Sequence, residues 1–298
     1  MGFAAVELGY DTRLDLIDGI RSMVEQGAIK VNSLHNFCPL PMGAPRGHPE
    51  LYTMGHADPR VRANAVTHTK NTIEFAAEIG AKKIVAHSGY VGTKKSTDTM
   101  IRMIMAGTHM TPKYDKFRMK FMMERDKKAP KYLNWLYEGL EQLLPTLEMH
   151  EVTIALENLP TWEALPTETE IESICATFNS PYIRYWHDMG HGQIRENLGF
   201  INHERWTERL EPIIAGMHVH DVARRIADHT MPPLGEIDFT RYKRIANNPE
   251  ILKVIEPTTK TPREEIIAAH EFLKEVWGEA PAPADETLAQ TSGDELDA

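Results

Sequence analysis

Carboxylates and imidazoles recur at the ends of short β-branched runs. His35 closes the run 29–35 and His87 stands near the end of 83–88; Glu157 closes 152–157, Asp188 and His191 follow 182–187, His218 lies near the end of 214–219, and Glu256 closes 251–256. Two Glu, one Asp and several His, with no cysteine among them, form hard-to-borderline ligand chemistry suited to Mn²⁺, Mg²⁺, Co²⁺ or Zn²⁺. The same side chains are common general acids and bases. A lone histidine at a strand end is more often a hydrogen-bonded packing residue than a ligand. The balance changes when one strand candidate after another closes in this way.

What must position these residues is an alternation of strands and helices. Apolar spacing predicts helices over 15–26 and 61–79, followed by Gly27 and Gly80 before the next runs. No antiparallel hairpin signal interrupts the alternation, which argues for a parallel sheet covered by helices. Neither a G-x-G-x-x-G nor a G-x-x-x-x-G-K-[ST] turn is present, so a nucleotide-binding doubly wound sheet is disfavoured. The expected fold is a (β/α)8 TIM barrel, whose strands would bring their C-terminal residues to one rim. With 4–8 included there are seven strand candidates, one short of a complete barrel, so the first strand is expected to be lacking or replaced. A chain opening at an internal methionine, or a barrel sealed by another segment, would account for that.

The barrel is expected to span residues 1–278, with 93–131 as an insertion over the active-site face. Its methionines, as in Met119 and Met122-Met123, fit either packing or a substrate lid. Residues 279–298 hold six acids and no Lys or Arg, and are expected to be a disordered tail. That tail supplies six of the ten net negative charges of the 298-residue chain. The acidic balance disfavours nucleic acid as a partner. No apolar run reaches the roughly 18 residues of a membrane span, and two cysteines, Cys38 and Cys175, suit a reducing compartment. A cytoplasmic enzyme is expected, with a homodimer as a weaker expectation.

Gly-Phe-Ala-Ala-Val-Glu-Leu (2–8), Ala-Leu-Glu-Asn (155–158), His-Asp-Met-Gly-His (187–191), His-Val-His-Asp (218–221), the segment 228–239 and Val-Ile-Glu-Pro (254–257) together resemble the xylose-isomerase-like barrel superfamily, from about residue 2 to 277. That superfamily includes sugar isomerases and epimerases as well as metal-dependent abasic-site endonucleases. The resemblance to the epimerase branch implies one divalent cation, Mn²⁺, Mg²⁺ or Co²⁺ with Zn²⁺ as the alternative, held by Glu157, Asp188, His218 and Glu256. It implies Glu157 and Glu256 as the catalytic acid/base pair, moving a proton through an enediolate of a small sugar or hydroxy-ketone. His35, His87, His191, Arg224, Asp228 and His229 are expected on the substrate side of the pocket, with Arg225 competing for the role of Arg224.

The endonuclease branch uses three zinc ions, and His35, His87, Asp228 and His229 are the extra candidates for it. Against it stand the acidic charge, Val-Ala-Arg-Arg after Asp221 where that branch has Ser-Lys, and the adjacency of Asp228 and His229. The rival readings are thus a zinc-dependent phosphodiester hydrolase and an inactive ligand-binding barrel. Trp162 and Trp186 could stack on a sugar ring or pack in the core, and Glu7 could reach the pocket or serve a structural ion pair. His48, His56, His68, His109, His150, His203 and His270 have no convergent partners in the sequence.

Overall fold

The computed structural model describes residues 2–278; the acidic tail expected over 279–298 lies outside the described residues. Seven parallel strands form one sheet nearly closed into a barrel: β1 (Val6–Leu8), β2 (Val31–His35), β3 (Lys83–Ala86), β4 (Thr153–Glu157), β5 (Ile183–Asp188), β6 (Ile214–Val219) and β9 (Leu252–Ile255), paired in that order. The expected parallel barrel with one strand fewer than eight is therefore what forms. Each expected strand is found: β6 with the expected bounds, β5 shifted by one residue so that it takes in Asp188, and the others shorter by one or two residues.

One element departs from the expected alternation. β7 (Asp221–Ala223) and β8 (Ala227–Thr230) make a small antiparallel hairpin on the rim, outside the main sheet. Its turn carries Arg224 and Arg225, both with positive φ (50° and 68°). The turn thus uses the left-handed region without the Gly or Asn that would have signalled it.

The helices form for local reasons that the sequence carries. α1 (Ile17–Glu25) follows a 3-10 turn at Leu14–Leu16. In α2 (Pro59–Glu78) the Asp58 side chain accepts from Arg60 N and proline occupies the first turn. α5 (Glu168–Phe178) opens with a full capping box between Thr167 and Glu170. α6 (Met189–Asn197), α7 (His203–Leu210), a short α8 (Lys243–Ala246) and α9 (Arg263–Trp277) complete the set with the two helices after β3.

Those two helices redraw the expected insertion. Residues 93–131 contain α3 (Ser96–Met105) and only the first half of α4 (Pro112–His150), which runs 39 residues through Pro130 and Pro145 without a break. Its buried residues Phe121, Arg125, Ala129, Leu136, Leu140, Leu143 and Leu147 recur at helical spacing, so one continuous face holds it to the core. Met119 and Met123 are 60% and 71% exposed, so these two methionines are not packing residues.

Two apolar layers hold the barrel. Between strands and helices lies the large cluster that includes Leu34, Ile84, Ile154, Leu156, Ile183, Met217 and Val219. Inside the barrel Val85, Ala155, Trp186 and Ala215 pack with Leu252 and Val254. Gly216 makes room there, since a Cβ at that position would come within 2.3 Å of the Trp186 ring. Trp186 is fully buried beneath His218, so it is an interior residue and not a sugar platform. Trp162 is also core: it stacks on Phe200 at 4.6 Å and is flanked by the Arg125 and Arg195 guanidiniums. No helix among the described residues is long and apolar enough to cross a membrane.

Candidate metal and proton-transfer centre

Strand alternation sends every second side chain inward, and the parallel register brings the last inward residues together. Glu157 ends β4, Asp188 ends β5, His218 lies near the end of β6 and Glu256 follows β9. Ligand-type atoms of these four all lie within 4.8 Å of one another.

At the centre is His218, fully buried. Its Nδ1 is 2.9 Å from Glu157 Oε1, 3.4 Å from Glu256 Oε2 and 3.9 Å from Asp188 Oδ2, while Nε2 is 2.9 Å from Glu7 Oε1. Ser33 Oγ in turn donates to Glu7 Oε2 at 2.6 Å. Of the two readings of Glu7, the structure thus selects the pocket. Burial alone would hold His218 neutral, but Glu256, Glu7 and Glu157 raise its pKa well above the ordinary histidine range.

Glu157 is the hub. Its Oε2 meets His87 Nε2 at 2.9 Å and His35 Nε2 at 3.3 Å. Burial opposes its ionisation, yet His218, His35 and His87 hold it well below the usual carboxylate range. On the other side His87 Nδ1 faces Glu50 Oε1 at 3.4 Å. Burial of His87 favours the neutral form, and bonds to Glu157 and Glu50 overcome it and lift the pKa to about 9.

Asp188 closes the third side. Its Oδ1 accepts from His191 N at 2.7 Å as the cap of α6, and its Oδ2 lies 3.0 Å from His220 Nε2 and 3.4 Å from His191 Nδ1. His191 Nδ1 also meets the Asn158 carbonyl at 2.9 Å, and its Nε2 faces Asp228 Oδ2 at 3.9 Å. His229 Nε2 is 3.9 Å from Glu256 Oε2, and its backbone sits in the left-handed region at φ 52°, which is uncommon for a non-glycine residue.

These residues fit a divalent cation. Three carboxylates converge on one imidazole nitrogen, and Glu256 Oε2 is buried without a hydrogen-bond partner. When His218 Nε2 donates to Glu7, a deprotonated Nδ1 presents its lone pair toward the three carboxylates. That carboxylate-histidine arrangement fixes the tautomer and orients a ligand. Two further groups surround the first: His35, His87 and Glu157, and His191, His220 and His229.

The structure therefore brings together Glu157, Asp188, His218, Glu256, His35, His87, His191, Asp228 and His229. It does not do so for Arg224, which stands on the exposed hairpin turn and is paired with none of the described residues. The sequence reading left Glu50, Asn158 and His220 without a role. His220 does carry a signal, because positions two apart on an extended segment share a face and His218 is a candidate ligand. Glu50 carries no comparable signal, since it reaches the rim from the loop 36–58.

Comparison with known proteins follows the same lines. Residues 1–276 match the model of the family described as xylose isomerase-like TIM barrel. An uncharacterized protein of Methanocaldococcus jannaschii is 24% identical over 258 residues, covering 86% of this chain and 82% of that protein. Among solved structures, a D-tagatose 3-epimerase-like protein superposes with a TM-score of 0.64 at 19% identity, covering 93% of this chain and 89% of the other. D-psicose 3-epimerase, solved in the presence of D-fructose, gives 0.64 at 13% identity over 93% and 90%. The zinc-bound IOLI protein gives 0.61 at 16% over 93% and 88%. At these identities the structural likeness is one of fold.

Proposed function

The chain belongs to the xylose isomerase-like TIM barrel family, and from that premise we propose that it is a metal-dependent isomerase or epimerase of a small sugar or related hydroxy-ketone. The observation that carries this reading is the convergence of Glu157, Asp188, His218 and Glu256 within 4.8 Å. A divalent cation held by these four would polarise the substrate carbonyl and ease loss of the neighbouring proton.

The chain's own part is proton transfer. Glu157 and Glu256 approach the pocket from strands three positions apart in the sheet order, so they can address different faces of one carbon. Glu157 is held ionised by His218, His35 and His87, so it is the member of the pair that starts without a proton. Glu256 keeps one oxygen without a hydrogen-bond partner, where it would carry the separate proton it gives to the opposite face as Glu157 takes one from the first, with the roles exchanged in the reverse direction. The product is an epimer or isomer formed through an enediolate. Asp228 and His229, on the hairpin strand β8, would meet substrate hydroxyls. The epimerase names of two structural neighbours make ketohexoses the first substrates to test.

The test joins metal content to turnover. Elemental mass spectrometry of protein purified without chelator is expected to find about one equivalent of manganese, magnesium or cobalt per chain. Glu157→Gln and Glu256→Gln are each expected to lower ketose turnover by roughly 10²–10⁴-fold while substrate still binds. Normal turnover in either variant sinks the acid/base assignment.

One observation favours a second reading. The groups His35/His87/Glu157 and Glu157/Asp188/His218/Glu256 share Glu157, and His191/His220/His229 lies beside Asp188, an arrangement with room for more than one ion. Two or three zinc ions per chain, with cleavage of abasic DNA, would move the assignment to phosphodiester hydrolysis.

A further inference from the structure

The ladder between β4 and β5 ends at the pair Glu157–Trp186, two residues short of Asp188. The next residue on β4's path is Asn158, which is 1% exposed. Its side-chain Oδ1 accepts from Asp188 N at 2.8 Å and its Nδ2 donates to Asp188 O at 3.0 Å. A side-chain amide carries the same donor and acceptor as a peptide group, so Asn158 continues the ladder beyond the last strand rung. Its main-chain oxygen meanwhile meets His191 Nδ1 at 2.9 Å.

We infer that Asn158 is a positioning residue that locks the ends of β4 and β5 together, and so fixes Glu157 and Asp188 at the separation a shared cation needs. The inference rests on the cation reading above and adds a residue to it. The Asp188 side chain is held by His191 N and His220, but only Asn158 holds both of its backbone polar groups. Asp188 is fully buried and its C=O can still serve the first turn of α6, but a side chain without an amide at position 158 leaves the Asp188 N–H unpaired. Asp188 can relieve the loss only by moving, and a sub-ångström shift loosens a ligand set.

Co²⁺ binding to the full chain tests this, with affinity read by titration calorimetry and ligand geometry by the visible absorption of the bound ion. Wild type is expected to bind. Asn158→Leu, which keeps the volume, is expected to bind about 10–100-fold more weakly, the range that loss of an outer partner of a metal ligand produces, with an altered spectrum. Asn158→Ser serves where the leucine variant does not fold. Asn247→Ala, which loses a bond to Trp277 O at 2.9 Å, is expected to unfold at lower temperature yet keep wild-type affinity and spectrum. Asn158 variants that bind Co²⁺ with wild-type affinity and spectrum overturn the inference. Wild-type protein that fails to bind Co²⁺ overturns the cation reading itself, a different and recognisable result.

Discussion

His218 and His187 sit on neighbouring strands, both buried, and their surroundings could hardly differ more. His218 faces Glu7, Glu157, Asp188 and Glu256. His187 points to the other side of the sheet and joins a neutral relay. Its Nδ1 meets the Tyr185 hydroxyl at 2.9 Å, its Nε2 meets His203 Nε2 at 3.0 Å, and His203 Nδ1 meets the Tyr242 hydroxyl at 2.8 Å. Burial lowers His187 to about 4 despite Asp188 beside it. One histidine stands where positive charge is demanded and the other where it is excluded. Histidine count therefore says little about a site; carboxylates and polar atoms left without partners say more.

The sharpest way to break this contrast is to remove each histidine. His218→Ala is expected to weaken Mn²⁺ or Co²⁺ binding by more than about 100-fold, beyond the range of outer-shell changes. His187→Phe is expected to leave bound metal per chain unchanged while costing about 1–3 kcal/mol of stability, since it orphans buried partners. Equal metal loss in both variants, by elemental analysis, would erase the distinction.

A smaller effect should come from chelation. Saturating metal at 100 times its Kd stabilises the native state by about 2.7 kcal/mol, so EDTA is expected to lower the wild-type melting temperature by about 5–10 °C. The His218→Ala protein should show no such difference. A wild-type melting curve indifferent to EDTA would remove the cation from the site.

The smallest effect concerns the relay and acid. His203 is buried, and burial together with His187 holds its pKa well below the ordinary value. The unfolded histidine takes up a proton near pH 6.5 while the folded one stays neutral. Stability present at neutral pH is therefore lost as pH falls from about 6.5 toward the folded pKa. The groups around it are His187, Gln193 and Tyr242, with Asp188 and Arg241 acting through charge. His203→Gln is expected to be less stable at pH 8 but to lose stability less steeply on acidification, as read from urea midpoints. Parallel slopes would place the acid sensitivity elsewhere.

Much of the rim was legible because barrel topology converts strand-end position into proximity. Glu157, Asp188, His218 and Glu256 needed only their strands to be recognised. Residues reaching the rim from loops were not legible: Glu50 belongs to no periodic element, and Asn158 reads as the first residue of a loop until its amide is seen against Asp188. The hairpin of β7 and β8 escaped because its strands are three and four residues long and its turn is made by two arginines. α4 runs beyond the expected insertion because its apolar face continues past Pro130 and Pro145 and outweighs the hydrogen bonds they forfeit. His203, which has no convergent partners in the sequence, is fully buried between Tyr242 and His187.

The length of α4 decides which parts of the rim are braced. At 1.5 Å per residue its 39 residues span about 58 Å, well beyond the reach of a four- to six-residue strand. Its leading half braces the walls of the mouth: Tyr114 and Arg118 donate to the carbonyls of Leu198 and Gly199, and Arg125 grips those of Trp162 and Ala164. A wall strapped to a single rigid rod swings poorly. The segments it straps, 162–164 and 198–199, are therefore expected to move less than the exposed β7–β8 turn, a difference that amide hydrogen exchange would read.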